Sequence, residues 1–365
     1  MTRLFKYGCL TACVLAVLAA AGAQQPVFRG TSDVVRVFVT VTDRDGRLVT
    51  TLEEKDFEIR DEGKVQPISL FDKSPQPIRL IVMLDVSGSM EGNLSLLRGA
   101  SEQLFRRLLA EDRARVGTFG HEITISSSFT RDPDELRTAL PRSIATDAPT
   151  PLWRAIDEAL NAFGNADQTD SRGGDHKDSR GGDHKDSRDA DHKDSRDADH
   201  KDPRDADRTD QGSADSRPVI LVLSDGKDSG PIGFRQRYVS QVEVIERARR
   251  EDVMVYAIGM RSRSMQRPVP GLGPGGLQAA LMADMPDPGL ARVAEETGGG
   301  YTEIRFGQDL GAAFAQVADE LHNQYLIGYA PPKRDGKVHE IDVRVSERGM
   351  KPRARKSYVA PKELK

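Results

Sequence analysis

The chain has 365 residues, with 53 Lys and Arg against 57 Asp and Glu and a formal net charge of -4. That length suits two compact domains or one domain with insertions. The slightly acidic balance gives no electrostatic basis for binding nucleic acid, and a count of 2 cysteines gives none for a disulfide-built scaffold.

Residues 1–23 read as a secretory signal peptide. Arg3 and Lys6 precede an apolar segment, Val14 to Ala20, and Ala21-Gly22-Ala23 supplies a small-residue cleavage pattern. The mature chain then begins near Gln24, and its expected location is the periplasm, the cell envelope or the extracellular space. The apolar segment is shorter than the roughly 20 residues a membrane span needs, so no transmembrane span is expected in the mature chain. Leu10-Thr11-Ala12-Cys13 has the form of a bacterial lipoprotein box, but most of the apolar run follows Cys13, which argues against acylation there. Cys9 and Cys13 both lie in this leader, so the mature protein has no thiol and is held by its core alone.

Residues 28–75 predict a small β segment. Val34 to Thr42 is β-branched and partly alternating and stops at Asp43-Arg44-Asp45-Gly46, a turn signal; shorter strand-like pieces follow at Phe57-Glu58-Ile59 and Ile68-Ser69-Leu70-Phe71. The same pattern returns over residues 325–361. Tyr325 to Tyr329 is followed by an Asp335-Gly336 turn, and Ile341, Val343 and Val345 then alternate with polar residues.

Between these ends, over residues 77–324, continuous apolar strands are separated by helical patterns. Strands are predicted at Ile78 to Leu84, Val116 to Phe119, Ile123 to Ser127, Val219 to Leu223, Val253 to Ile258 and Tyr301 to Ile304. Leu97, Ala100, Leu104 and Leu108 share one helical face, Leu152, Ile156, Ala159 and Phe163 another, and a third helix is predicted from about Ser240 to Arg250. This alternation predicts an α/β fold with a doubly wound, mainly parallel sheet covered on both faces. Ligands of such sheets bind beyond the carboxyl ends of the strands, where strand order reverses.

Two insertions interrupt the pattern. Residues 171–210 are five tandem octapeptides, SRGGDHKD twice, SRDADHKD twice and a degenerate PRDADRTD, with no apolar residue larger than Ala. Nothing in them offsets the entropy of ordering, so disorder is expected. Their histidines, His176, His184, His192 and His200, offer at most loose Zn²⁺ or Cu²⁺ binding, and a solvated loop is the favoured reading. The second insertion, Arg261 to Pro288, is rich in Pro and Gly with an apolar patch from Leu277 to Met282. It follows a strand and so is expected on the ligand side of the sheet, whereas the repeats join a helix to a strand and belong on the opposite side.

The chemistry is concentrated at the ends of two all-apolar strands. Asp85-Val86-Ser87-Gly88-Ser89 places a carboxylate and two hydroxyls at alternate positions of a tight turn, as a hard divalent cation requires. Ser224-Asp225-Gly226 ends the strand Val219 to Leu223 with a second carboxylate, and Thr150-Pro151 opens the helix from Leu152. Alone, Thr150 before Pro151 is what an ordinary helix start looks like, and Asp225-Gly226 is a common strand-to-loop turn.

Together, Asp85, Ser87, Ser89, Thr150 and Asp225 resemble the metal-ion-dependent adhesion site of the von Willebrand factor type A family, over roughly Pro77 to Leu326. The resemblance implies that the first and fourth strands of the sheet are neighbours, with Asp85 and Asp225 facing each other across the crevice. It also implies that Ser87, Ser89 and Thr150 bind the metal through hydroxyls while the two aspartates act mainly through water. One coordination position is then open to a carboxylate of a partner protein, Asp or Glu. An all-oxygen, near-octahedral site suits Mg²⁺ or Mn²⁺ better than Ca²⁺, and the absence of Cys and His from it argues against Zn²⁺. The β segments at the two ends resemble those of exported bacterial members of the family, which implies one β-sandwich built from both ends with the α/β domain inserted.

The function expected is therefore an exported, non-enzymatic protein-binding or adhesion module. A metal-assisted hydrolase is the first alternative. Against it, Ser87 stands where an acid would follow an Asp nucleophile, no Gly-x-Ser-x-Gly elbow surrounds Ser87 or Ser89, and His121, His322 and His339 fall in no triad order. The second alternative is a structural envelope protein with a dispensable site. Glu91 and Asp228 read as solvated loop charges, and Trp153 as partly packed in the core.

Overall fold

A computed structural model describes residues 34–170, 216–230, 237–261, 285–305 and 308–363. The predicted leader, the octapeptide repeats and most of the Pro/Gly-rich insertion lie outside the described residues. In chain order the strands are β1 (Val35–Thr42), β2 (Phe57–Asp61), β3 (Lys64–Gln66), β4 (Leu70–Asp72), β5 (Ile78–Asp85), β6 (Arg113–Phe119), β7 (Ile123–Ile125), β8 (Arg217–Ser224), β9 (Met254–Met260), β10 (Tyr301–Ile304), β11 (Tyr325–Tyr329), β12 (Val338–Val345), β13 (Lys351–Arg353) and β14 (Ser357–Val359). The helices are α1 (Leu94–Phe105), α2 (Pro133–Thr138), α3 (Leu152–Asp170), α4 (Gln241–Arg250), α5 (Gly289–Thr297) and α6 (Leu310–His322).

The central sheet has the order β10-β9-β8-β5-β6-β7, parallel throughout except for β7, which pairs antiparallel with β6 at one edge. Its middle strands carry unbroken apolar runs, Leu80–Leu84 in β5 and Val219–Leu223 in β8, because both faces are covered. Leu80, Val82 and Leu84 of β5 pack with α1, α2 and α6, while Ile81 and Met83 pack on the other side with α3, α4 and α5. Full burial of a side chain of this size contributes roughly 1.5–3 kcal/mol, so alternate residues of one strand fasten two helical layers.

From β5 the chain steps to β6 on one side, while β8 pairs with the other, in the register Leu80↔Val219 to Leu84↔Leu223. Strand order therefore reverses between β5 and β8. The loops leaving their carboxyl ends diverge there and open a crevice.

Two antiparallel sheets flank this layer, β13-β1-β11-β4 and β14-β12-β2-β3. Each combines strands from before β5 with strands from after α6. Val35, Val37, Val39 and Val41 of β1 alternate inward and share one core with Ile59, Tyr325, Ile327, Tyr329, Ile341 and Tyr358. The alternation read at both ends of the sequence thus builds a common β core.

The two layers meet at the amino end of β8. The Arg217 guanidinium lies 4.1 Å from the centre of the Phe38 ring of β1 and hydrogen bonds to Gln324, whose amide donates to Thr40. Full burial lowers the Arg217 pKa to about 10, still far above neutrality, so the cation persists in this joint.

Candidate functional site

The crevice beyond β5 and β8 brings the sequence-predicted residues together. Asp85 is the last residue of β5, and hydrogen bonding of Val86 N–H to Phe119 carries the backbone one step past the strand. The chain then turns through a short 3-10 helix, Gly88–Asn93, whose Met90 is fully buried in the core and fixes the turn. Gly88 is required here: its N–H donates to the Ala148 carbonyl at 3.0 Å, and a Cβ would stand 2.0 Å from the Thr146 carbonyl oxygen.

Four of the five predicted residues form a hydrogen-bonded chain. Ser87 N–H donates to Asp85 Oδ1 at 2.8 Å, the Ser87 and Ser89 hydroxyl oxygens are 3.1 Å apart, and the Ser89 hydroxyl donates to Asp225 Oδ1 at 2.6 Å. Thr150 is placed by packing. Its Oγ1 lies 2.9 Å from where a Gly226 Cβ would stand, and its carbonyl accepts from Ser229 N–H at 2.9 Å. Asp85, Ser87, Thr150 and Asp225 are buried, whereas Ser89 is exposed, so the cluster meets solvent at Ser89.

Two carboxylates buried together disfavour ionisation. Burial, and then the charge of Asp85, push the Asp225 pKa up to about 7. Burial likewise raises that of Asp85, against hydrogen bonds from Ser224, Ser87 and Asp225 N–H. Asp225 Oδ2 is buried with no hydrogen-bond partner. An unpaired buried carboxylate oxygen costs several kcal/mol unless a cation or donor meets it. Every donor converging here is oxygen, and among the described residues no cluster of three or more His, Cys, Asp or Glu has metal-binding geometry. Two carboxylates and three hydroxyls are the chemistry of a small, hard cation.

One residue of this cluster was not singled out in the sequence. Ser224 is fully buried, and its hydroxyl donates to Asp85 Oδ2 at 2.5 Å while accepting from Gly226 N–H at 3.2 Å. The signal was a hydroxyl closing an otherwise apolar strand immediately before Asp225.

Asp228 is not the solvated loop charge expected. It is half-buried and accepts from Trp153 N–H at 3.4 Å and Gly230 N–H at 3.0 Å, where it faces the free N–H groups opening α3. Glu91 is exposed, as read. Trp153 is buried in the core against Gly289, where a Cβ would stand 2.4 Å from its ring. His121, His322 and His339 each hydrogen bond to an aspartate, Asp147, Asp112 and Asp61 respectively.

Residues 80–176 match the family profile of the von Willebrand factor type A domain. No curated protein matches the chain. Among solved structures, it is similar to BatB from Bacteroides thetaiotaomicron, at 15% identity and a TM-score of 0.39, over 67% of this chain and 97% of that one. It is also similar to a von Willebrand factor type A protein from Catenulispora acidiphila, at 10% identity and a TM-score of 0.42, over 92% of this chain and 76% of that one. A third is an aerotolerance-related membrane protein from Bacteroides fragilis NCTC 9343, at 13% identity and a TM-score of 0.37, over 67% and 98%. The profile covers most of β5, the turn that follows it and the Thr150 helix start, so residues 80–176 carry the sequence pattern of a von Willebrand factor type A domain.

Proposed function

We propose that this chain is an exported protein-binding module whose crevice holds Mg²⁺ or Mn²⁺ and takes a carboxylate of a partner protein as the last ligand. Domains of this family are typically protein-interaction modules. The observation that carries the reading is Asp225 Oδ2, buried and without a partner, in a crevice where Asp85, Ser87, Ser89 and Thr150 present further oxygens. These five residues would hold the cation, and the cation would supply a positive centre facing solvent at Ser89. A carboxylate suits that centre because it is anionic and hard, and two buried aspartates with neutral hydroxyls leave ligand positions for it.

Export rests on residues 1–23; among the described residues no helix is long and apolar enough to cross a membrane. The test is a pull-down from envelope fractions in Mg²⁺ or in chelator, with wild type and Asp85→Ala. Partner recovery confined to wild type with Mg²⁺ is expected. Equal recovery in all four conditions overturns the reading.

A further inference from the structure

We infer that Ser224 is a positioning residue of the cation site, acting on Ser87 through Asp85. The inference rests on the reading that the crevice binds a cation, and adds to it a residue that reaches no cation itself.

Ser224 has one hydroxyl proton, and the 2.5 Å contact to Asp85 Oδ2 uses it. Its lone pair accepts from Gly226 N–H at 3.2 Å, so the same side chain fixes the Asp225-Gly226 turn of β8. The hydroxyl thus ties the last residue of β5 to the turn leaving β8, across the point where strand order reverses. The register explains the contact, because Leu84↔Leu223 is the last pair and Ser224 is the next residue along, beside Asp85.

Asp85 is held on both oxygens by protein donors. Ser87 N–H reaches Oδ1 and Ser224 Oγ reaches Oδ2, with Asp225 N–H also bonded to the carboxylate. A carboxylate has roughly four lone-pair sites, so these three donors leave about one for the hydration shell of a cation. The two aspartates therefore divide the work. Asp225 keeps a free oxygen, while Asp85 accepts from Ser87 N–H and so fixes the residue whose hydroxyl lies 3.1 Å from that of Ser89. A carboxylate behind a ligating group fixes its orientation and raises its basicity, and loss of such a partner typically weakens metal binding 10- to 100-fold. Without the Ser224 hydroxyl, Asp85 loses its Oδ2 donor and is free to rotate, and the orientation of Ser87 goes with it.

The test compares wild type, Ser224→Ala and Ser224→Thr in calorimetric titrations with Mg²⁺ and Mn²⁺ alone, at a temperature where all three are folded. Melting of the metal-free proteins is recorded in parallel. Ser224→Ala is expected to bind Mg²⁺ at least tenfold more weakly, with Ser224→Thr recovering most of the loss because it restores the hydroxyl. A role confined to stability would lower the melting temperature of metal-free Ser224→Ala and leave its Mg²⁺ affinity at the wild-type value, which overturns the inference. Wild type that binds neither ion overturns the cation-site reading itself and this inference with it.

Discussion

His339 clamps Asp61 in the sandwich core, with its Nδ1 2.9 Å from Asp61 Oδ1 and its Nε2 3.2 Å from Asp335 Oδ1. A carboxylate accepts and does not donate, so both contacts are made together only by the imidazolium. Burial alone pushes the His339 pKa down, but hydrogen bonds and charge from Asp61, and then Asp335, outweigh it and the pKa is raised. Tyr329 and Tyr358, the other titratable groups packed on this pair, donate to Asp61. A raised folded value means that the protonated form stabilises the fold. Its contribution is complete below about pH 6.5, the unfolded value, and is lost as pH rises through the folded value. The melting temperature of wild type is therefore expected to fall relative to that of His339→Gln as pH rises from about 6.5 to 9. Parallel curves for the two proteins would show that the clamp carries no stability.

Asp61 is the hub of that cluster and fully buried. Its Oδ2 accepts the hydroxyls of Tyr329 at 3.0 Å and Tyr358 at 2.7 Å, so strands of both flanking sheets converge on one carboxylate. Removing it strands two phenols and an imidazolium in the core. Asp61→Ala is expected to destabilise the protein by about 3–5 kcal/mol in urea titrations. Tyr358→Phe, which deletes one donor and leaves the hub, is expected to cost about 1 kcal/mol.

The parts of this structure legible in the sequence are those where a period or a strand end decides the outcome. Leu80 to Leu84 and Val219 to Leu223 are apolar at every position because both faces of a parallel sheet are covered, and the predicted strands Ile78 to Leu84 and Val219 to Leu223 form within a residue or two at each end. The edge strands β3 and β13 went unread: Lys64–Gln66 and Lys351–Arg353 are polar three-residue segments whose pairing is set by their neighbours. Helices α5 and α6 were also missed, although Leu290, Val293 and Ala294, and Leu310, Phe314, Val317 and Leu321, carry helical spacing onto the sheet. At the site, residue types at strand ends were readable, but Ser224 and the capping role of Asp228 depend on which strands are neighbours. Only the β5–β8 register supplies that.

Gly226 tests how closely the site is built. A Cβ there would lie 2.9 Å from Thr150 Oγ1 and 3.4 Å from Thr150 Cγ2, and the short Thr side chain has no flexible end to swing away. Gly226→Ala should push Thr150 off the crevice and weaken Mg²⁺ binding about tenfold. The overpacking itself is expected to cost about 1–3 kcal/mol of stability. Calorimetric titration with Mg²⁺ checks the first and urea unfolding the second. Wild-type affinity in this variant would remove Thr150 from the set of ligands.

The octapeptide repeats enter the fold at the end of β8 remote from the site. Helix α3 runs to Asp170 and the described chain resumes at Ser216, directly before Arg217 at the amino end of β8. From Arg217 to Ser224 the strand rises about 3.3 Å per residue, which separates that entry from the Asp225 turn by about 23 Å. Arg217, held by Phe38, Gln324 and the Leu321 carbonyl, anchors this end of the strand independently of the repeats. Deleting residues 171–210 is therefore expected to leave the Mg²⁺ affinity within about twofold and the melting temperature within about 2 °C of the full chain. Titration of the deletion variant with Mg²⁺ decides the point, because a tenfold loss would mean that the repeats reach the metal side of the sheet.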